Sequence, residues 1–436
     1  MLIGKKPTPG ISRIVQLVLL PVALLLGCAG AALAISAPLS LDECIRMALA
    51  HNPGYQGSRL AAEAATKEIG SARAGFFPQI VFDGSFLETS PTSLVPTWAA
   101  VSVGKEYEPL TLDQALYDRG IAGQFEVAQA DARAARADVR VAGGDLVQRV
   151  MAAYFQVLQA SDSVGIARLN QSGMQRQLAA TIAQNRSGDS PRIDVSRAEL
   201  ALDNASADLE AAKGALDSAR IALGSLLGVG PDLEIQPVAS RSLSPLAASS
   251  PSLLTEAESH RPEILAAKAR LQGARAELAV AESTRYPKVH LEGAYGWYAN
   301  NPDLSYLGWE AEINVKVPLI DWDRSRSQID AAKLRCAQAR QDFDRQKLAV
   351  DRDVREAATQ LQTAEAQVEL ASRSVDQARE TVRMAEAGYR AGNISNLDLL
   401  ISDRQLMQAR LRASSSYYQS LMAQAGLRWA LGELTP

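Results

Sequence analysis

Residues 350–389 read VDRDVREAATQLQTAEAQVELASRSVDQARETVRMAEAGY. The apolar or small side chains Val350, Val354, Ala357, Leu361, Ala364, Val368, Ala371, Val375, Ala378, Val382, Ala385 and Tyr389 follow one another in alternating steps of four and three. That spacing keeps one helix seam facing a partner for more than five heptads, so it predicts coiled-coil packing. About half the seam is alanine, which lets neighbouring helices approach closely. From about residue 323 to 391 there is no proline, and glycine occurs only at Gly388. At 1.5 Å per residue, such a stretch makes a rod of about 100 Å, far longer than a globular core needs.

The rod has a twin. Val150, Ala153, Val157, Ala160, Val164, Ala167, Gln171, Met174 and Leu178 carry the same spacing within a stretch of about residues 119–186. Shorter signals repeat in the same order. His51, Pro53 and Pro78 recur as His260, Pro262 and Pro287, at a constant offset of 209 (260 − 51). Tyr117-Asp118-Arg119 answers to Trp322-Asp323-Arg324 at 205 (322 − 117), and Arg186-Ser187-Gly188 to Arg390-Ala391-Gly392 at 204 (390 − 186). Two halves that hold register through different kinds of segment share one structural plan. The expected layout is a first repeat over 38–228, a Pro/Ser-rich surface linker over 229–251 and a second repeat over 252–436.

Each rod ends in a punctuated turn and a return helix, to about Gly228 and Gly432. In the second repeat the turn is Gly392-Asn393-Ile394 followed by Ser395-Asn396-Leu397-Asp398, a glycine stop and then a capping box. In the first it is Gly188-Asp189-Ser190-Pro191, with Ser190 as N-cap and Pro191 as the first helical residue. Shorter helices precede each rod, at about 39–50 and 52–74, then at 253–259 and 262–284.

Between the short helices and each rod the period changes to two. Val289, Leu291, Tyr295 and Trp297 alternate with polar or small residues, as do Ala311, Ile313, Val315, Val317 and Leu319 after a turn at Asn300-Asn301-Pro302-Asp303. The first repeat shows a weaker version, a hairpin within about 78–117 through Phe82, Phe86, Val101 and Val103, whose alternation breaks at Lys105. Four tryptophans, Trp98, Trp297, Trp309 and Trp322, sit in these segments. Short strands, apolar on one side and polar on the other, with aromatics near their ends, fit an outer-membrane β-barrel, with Val289, Leu291, Ile313, Val315 and Val317 facing lipid. An ordinary half-buried sheet alternates too. In lipid, though, four strands cannot close, and an open edge leaves backbone groups unsatisfied, so the chain must oligomerise. Two copies give eight strands and a filled interior; three give twelve and room for a lumen.

The rest of the sequence sets limits. A net charge of −4 and sparse aromatics offer no face for nucleic acid. Lys5, Lys6 and Arg13 precede an apolar run over 14–26, the layout of a signal peptide within residues 1–34. Two processing sites compete, after Gly27 or after Ala34, because Leu25-Leu26-Gly27-Cys28 resembles a lipobox and Ala32-Leu33-Ala34 an ordinary cleavage site. Cys28 is thus a candidate lipidation site, and Cys44 and Cys336 read as packing thiols. The scattered His51, His260 and His290 form no catalytic or metal pattern, so no enzyme activity and no cofactor are expected. A periplasmic coiled-coil adaptor or scaffold would share the rods but lack the strand pairs.

Leu41-Asp42-Glu43 leading to Ala48-Leu49-Ala50-His51-Asn52-Pro53, the prolines Pro78 and Pro287, Pro318-Leu319-Ile320-Asp321-Trp322, and Gly388-Tyr389-Arg390-Ala391-Gly392 before Leu397-Asp398-Leu399-Leu400 together resemble the TolC-like outer membrane efflux proteins. The resemblance spans nearly the whole mature chain. It implies a mainly α protein with membrane β, in the outer membrane of a Gram-negative bacterium. Its homotrimer would form a twelve-stranded barrel and a twelve-helix periplasmic tunnel, serving as exit duct for a periplasmic adaptor and an inner-membrane transporter of the RND, ABC or MFS type. The periplasmic end would stay closed until those partners engage it. Asp398 falls where some members carry a ring aspartate at the periplasmic aperture, although Ile401 stands where they carry a second one. Asp194, its repeat partner, and Tyr389 fall where the family has a latch between helix pairs, with Ile394 in place of the arginine. Asp398 also suits a local role as helix cap. Arg186, Gly188, Arg390 and Gly392 mark the tips where the family meets its adaptor, although left-handed C-caps alone would account for the glycines.

Overall fold

A computed structural model describes residues 38–82, 105–188, 190–229, 236–237, 253–301 and 304–434. The signal segment with Cys28, the positions Phe86, Trp98, Val101 and Val103, and most of the 229–251 linker lie outside the described residues.

The first repeat runs β1 (Pro38–Leu39), α1 (Leu41–His51), α2 (Pro53–Ala74), β2 (Gln79–Phe82), β3 (Lys105–Tyr117), α3 (Arg119–Ser187), α4 (Arg192–Leu227) and β4 (Gln236–Pro237). The second runs α5 (Leu253–His260), α6 (Pro262–Ser283), β5 (Lys288–Asn301), β6 (Leu304–Lys316), α7 (Arg324–Arg390) and α8 (Asn396–Leu431). β1 and β4 form a small parallel pair.

The two rods, α3 and α7, have 69 and 67 residues. None of the predicted seam positions on either is exposed. Apolar burial along the seams therefore holds the rods to their neighbours. The exposed side of α7 is laced instead with pairs such as Arg355–Asp351 at 3.0 Å and Arg379–Asp376 at 3.5 Å. Such exposed pairs add little stability and mainly keep that surface soluble.

Three layers follow from the packing. At the sheet, the strand order is β2-β3-β5-β6. Below it, α2 lies on α3, α3 on α6 and α6 on α7. In the half nearer the rod tips, α4 lies on α3, α3 on α8 and α8 on α7. Every layer thus begins with a first-repeat element (β2, α2 or α4) and ends with a second-repeat element (β6 or α7), and among the described residues no further strand or long helix packs on those two flanks.

Each return helix ends in a joint with the short helices of its own repeat. Gly228 and Gly432 cap α4 and α8 in the left-handed conformation, at φ 70° and 80°. A Cβ on Gly228 would lie 2.5 Å from the His51 carbonyl oxygen, and one on Gly432 3.1 Å from the His260 carbonyl carbon. Glycine is needed there both for its φ and for the close approach of the chains. The residue after each histidine then satisfies the helix end. Asn52 Nδ2 donates to the Leu226 carbonyl at 3.0 Å, and Arg261 Nη1 to the Ala430 carbonyl at 3.2 Å. Apolar clusters surround both joints, one with Tyr154, Phe155, Leu223 and Leu227, the other with Val350, Leu361, Leu427 and Leu431.

Three boundaries differ from expectation. β3 covers Lys105–Tyr117, where the alternation was broken; its irregular start carries Pro109 at a register shift between Tyr107 and Leu110, a place that needs no backbone donor. β6 ends at Lys316, so Val317 and Leu319 lie beyond the strand. The helix α4 begins one residue late, with Pro191 at the N-cap position and the Ser190 hydroxyl on Asp194 Oδ2 at 3.3 Å.

Candidate functional site

The sheet has two faces of opposite chemistry. Val289 lies opposite Val315, Leu291 opposite Ile313 and Tyr295 opposite Trp309. Leu110 lies opposite Tyr295 on one side and Phe82 on the other, and Leu112 lies opposite Ile80. Because side chains alternate along a strand, these residues share one face. The second face carries Thr111, Asp113, His290, Glu292, Glu310, Glu312 and Asn314. Asp113, Glu292 and Glu312 form a row across three strands, and His290 Nδ1 lies 3.2 Å from Asp113 Oδ1.

Four of the five residues expected to face lipid, Val289, Leu291, Ile313 and Val315, sit on the apolar face. Val317 is the exception, just past the strand end. Among the described residues nothing covers that face: Phe82 is 73% exposed, Ile313 65% and Trp309 77%. A continuous apolar surface of this kind is costly in water and favourable against lipid. No described helix is long and apolar enough to cross a membrane.

At the far end of the rods lie the tips. Gly188 and Gly392 have φ of 87° and 74°, with open space where a Cβ would stand, so backbone conformation alone calls for glycine. Arg186 and Arg390 are both exposed in the last turns before them. The second tip is closed over by Ile394, whose Cδ1 would lie 2.6 Å from a Cβ on Gly388. Ile394 thus packs onto the one glycine of the second rod.

The aperture candidates are placed separately. Asp398 accepts the Ser395 hydroxyl at 2.7 Å and donates its own N–H to that oxygen at 3.2 Å, the expected N-terminal cap. Asp194 pairs with Arg197 at 3.4 Å. Tyr389 Oη donates to Gln184 Oε1 on α3 at 2.5 Å. No hydrogen bond or ion pair joins the Asp398, Asp194 and Tyr389 side chains to one another in the protomer. Besides the Tyr389–Gln184 bond, the two tips are tied by Asn396, buried at 2% exposure. It accepts from Gln177 Nε2 at 2.8 Å and donates to the Asp194 carbonyl at 3.4 Å. Asn396, Gln177 and Gln184 carried no local signal, since their partners lie about two hundred residues away. Further along α8, burial pushes the Asp403 carboxyl up to about 6; the Glu386 carboxylate adds to the rise and Arg410 opposes it.

Comparison with known proteins agrees with this architecture. The profile of the outer membrane efflux protein family matches residues 44–229 and 253–433, leaving out most of the linker between the repeats. Outer membrane protein TolC of Vibrio cholerae is 25% identical over 404 residues, covering 91% of each chain. Cobalt-zinc-cadmium resistance protein CzcC of Cupriavidus metallidurans is 25% identical over 399 residues, covering 91% of this chain and 90% of that one. The crystal structure of the outer membrane protein VceC from Vibrio cholerae superposes with a TM-score of 0.78 at 19% identity, over 90% of this chain and 96% of that one, a likeness of fold. Mainly helical, with one four-stranded sheet, the chain belongs to the outer membrane efflux protein family and is an outer membrane protein with a periplasmic extension.

Proposed function

We propose that three copies of this chain close into one hollow cylinder, a twelve-stranded barrel continued by a twelve-helix tunnel, and that the cylinder is the exit duct of a tripartite efflux or type I secretion system. The observation that carries this reading is the agreement of the three layers. Sheet, upper helices and tip helices all end at the same two unpartnered flanks, so one rotation about a common axis joins all of them. In lipid an unpaired β2 or β6 edge would leave its backbone groups unsatisfied, which favours a closed ring. The apolar sheet face then meets lipid, and the row of Asp113, Glu292 and Glu312 lines the lumen.

Cargo would arrive from an inner-membrane RND, ABC or MFS transporter through a periplasmic adaptor protein. Arg186, Gly188, Arg390 and Gly392 form the docking tips for that adaptor, and Asp398 stands near the axis as a cation-binding constriction. Conductance of the purified protein in planar bilayers tests the duct. Discrete channels are expected, and Asp398→Ala should weaken block by divalent cations. A protein that stays in water without detergent and forms no channels overturns the reading in favour of a periplasmic scaffold.

A further inference from the structure

The place where a rod begins beside a strand is built twice in this chain, and only one copy is complete. The complete copy lies inside the protomer, where β3 passes into α3 next to the start of β5. There Tyr117 pairs with Val289. Asp118 Oδ1 accepts the Gly120 N–H at 2.7 Å, while Asp118 Oδ2 holds Lys288 Nζ at 2.9 Å. The Arg119 guanidinium lies 4.2 Å above the Tyr286 ring. Asp118 itself is in extended backbone, at φ −145°.

The repeat frame names the second copy residue by residue. Tyr117, Asp118 and Arg119 correspond to Trp322, Asp323 and Arg324, at the offset of 205 (322 − 117). Tyr286, Lys288 and Val289 correspond to Phe77, Gln79 and Ile80, at the offset of 209 (286 − 77). In one protomer these two sets cannot meet, because β6 and β2 are the opposite edges of the sheet. The unpartnered state is visible on both sides. β6 stops at Lys316, whereas β3 continues through the equivalent stretch to Tyr117. Leu319, Ile320 and Trp322 are 89%, 79% and 91% exposed, and Phe77 and Ile80 are exposed at the other edge. Trp322 and Asp323 have φ of 51° and 64°, a region that residues with side chains rarely adopt, and Asp323 makes no side-chain cap, the Ser325 N–H going instead to Asp321 Oδ2 at 2.9 Å.

We propose that residues 317–324 of one protomer dock on residues 76–82 of a second copy and rebuild the internal joint across the subunit boundary. β6 then extends along the partner subunit's β2, Trp322 falls opposite the partner subunit's Ile80, and Arg324 covers the ring of the partner subunit's Phe77. Asp323 takes the side-chain amide of the partner subunit's Gln79, where the internal joint uses a lysine; in the single protomer the Gln79 amide turns back onto the Ala74 carbonyl at 3.0 Å, a bond it gives up on docking. A second copy is the occupant because every chain carries both halves of the joint. Both halves also lie at one end of the sheet, where β6 finishes and β2 begins, and the surfaces match apolar to apolar. The inference rests on the ring closure proposed above, and it locates the seal between barrel and tunnel.

Trp322→Cys combined with Ile80→Cys tests the register. Directly opposite strand residues bring their Cβ atoms to about 4.5–5.5 Å, within reach of a disulfide after small adjustment. Oxidation of the detergent-purified protein should give covalent dimers and trimers on non-reducing denaturing gels. The single variants should give none, and Trp322→Cys with Val81→Cys, which points to the other face, should give several-fold less. As a second readout, Arg324→Ala and Phe77→Ala should each lower the dissociation temperature of the assembly, and the double variant no further than the larger single shift. Additive shifts with no cross-link in an intact trimer overturn the docking and leave those side chains to lipid, while ring closure stands. A wild-type chain that is monomeric in detergent removes ring closure itself, and the docking with it.

Discussion

The two rods have nearly the same length and the same seam, yet they live in different surroundings. α3 is enclosed, with α4, α8, α2 and α6 packed on it, and of its large apolar side chains only Leu169 is exposed. α7 is flanked by α8 and α6, with the short α5 beside its middle, and it leaves Leu334, Leu348, Leu370 and Met384 exposed among its ion pairs. α4, at the opposite flank, exposes Ile193, Leu200 and Ile221. Equivalent elements of a duplicated chain differ because one sits in the middle of each layer and the other at its edge. The exposed apolar side chains of the edge helices are the helical counterpart of the unpaired strand edges above them.

The joints sharpen the comparison. Both close a glycine-capped helix end against a histidine carbonyl, but the first uses a neutral amide and the second a buried cation. Arg261, 2% exposed, holds Glu263 at 2.9 Å and Asp353 at 3.4 Å, and its guanidinium stacks 4.2 Å from the Trp429 ring. Removing it leaves the half-buried Glu263 carboxylate and a helix end unpaired, and Asp353 with Arg352 as its remaining cation. Arg261→Ala should therefore cost about 3–5 kcal/mol, read from a urea titration of the helical signal in detergent. Asn52→Ala should cost only about 1–2 kcal/mol, since it loses one cap and one hydrogen bond. Arg261→Asn, which copies the first joint, should fall between wild type and Arg261→Ala. Equal losses at the two joints would break the comparison.

At the tips the prediction concerns function more than stability. Gly392 has an open surround and a left-handed φ, so Gly392→Trp puts a bulky group on the proposed docking face at modest backbone strain. We expect loss of compound resistance in a complemented deletion strain, with trimer content unchanged. Full activity would assign Gly392 to capping alone. Gly188→Trp at the first-repeat tip should act in the same direction, and a silent substitution there would show that the tips are unequal.

The smallest effect is a pH dependence. Asp403 has a carboxyl pKa raised above its unfolded value, so the folded α7–α8 pair binds the proton more tightly than the unfolded chain does. Stability from this group is therefore present below the unfolded value of 3.8 and is lost as pH rises through about 6. Hydrogen exchange in α8 near Asp403 should slow, after correction for intrinsic rates, as pH falls from 7 towards 5. Asp403→Asn should flatten that trend.

Much of this architecture was legible in the sequence for an identifiable reason. Heptads, caps and glycine stops are local signals, and a long rod repeats its signal many times. The strands were less legible. In Lys105–Tyr117 the charged and prolyl start hides the pattern until Leu110 and Leu112, and the strand is held by its pairing to β5. Beyond Lys316 the opposite error arose: the alternation continues through Val317 and Leu319, but a strand also needs a neighbour. Contacts such as Arg119 on Tyr286, or Asn396 with Gln177, join residues far apart in the chain and leave no periodic trace.

The most direct test of the account is the mass of the detergent-extracted protein, measured by native mass spectrometry after the detergent is stripped in the gas phase. Three chains per particle are predicted, together with an unheated gel band that collapses to the single-chain position on boiling. A single chain that remains dispersed in aqueous buffer would contradict the claim that the apolar sheet face meets lipid in a closed ring.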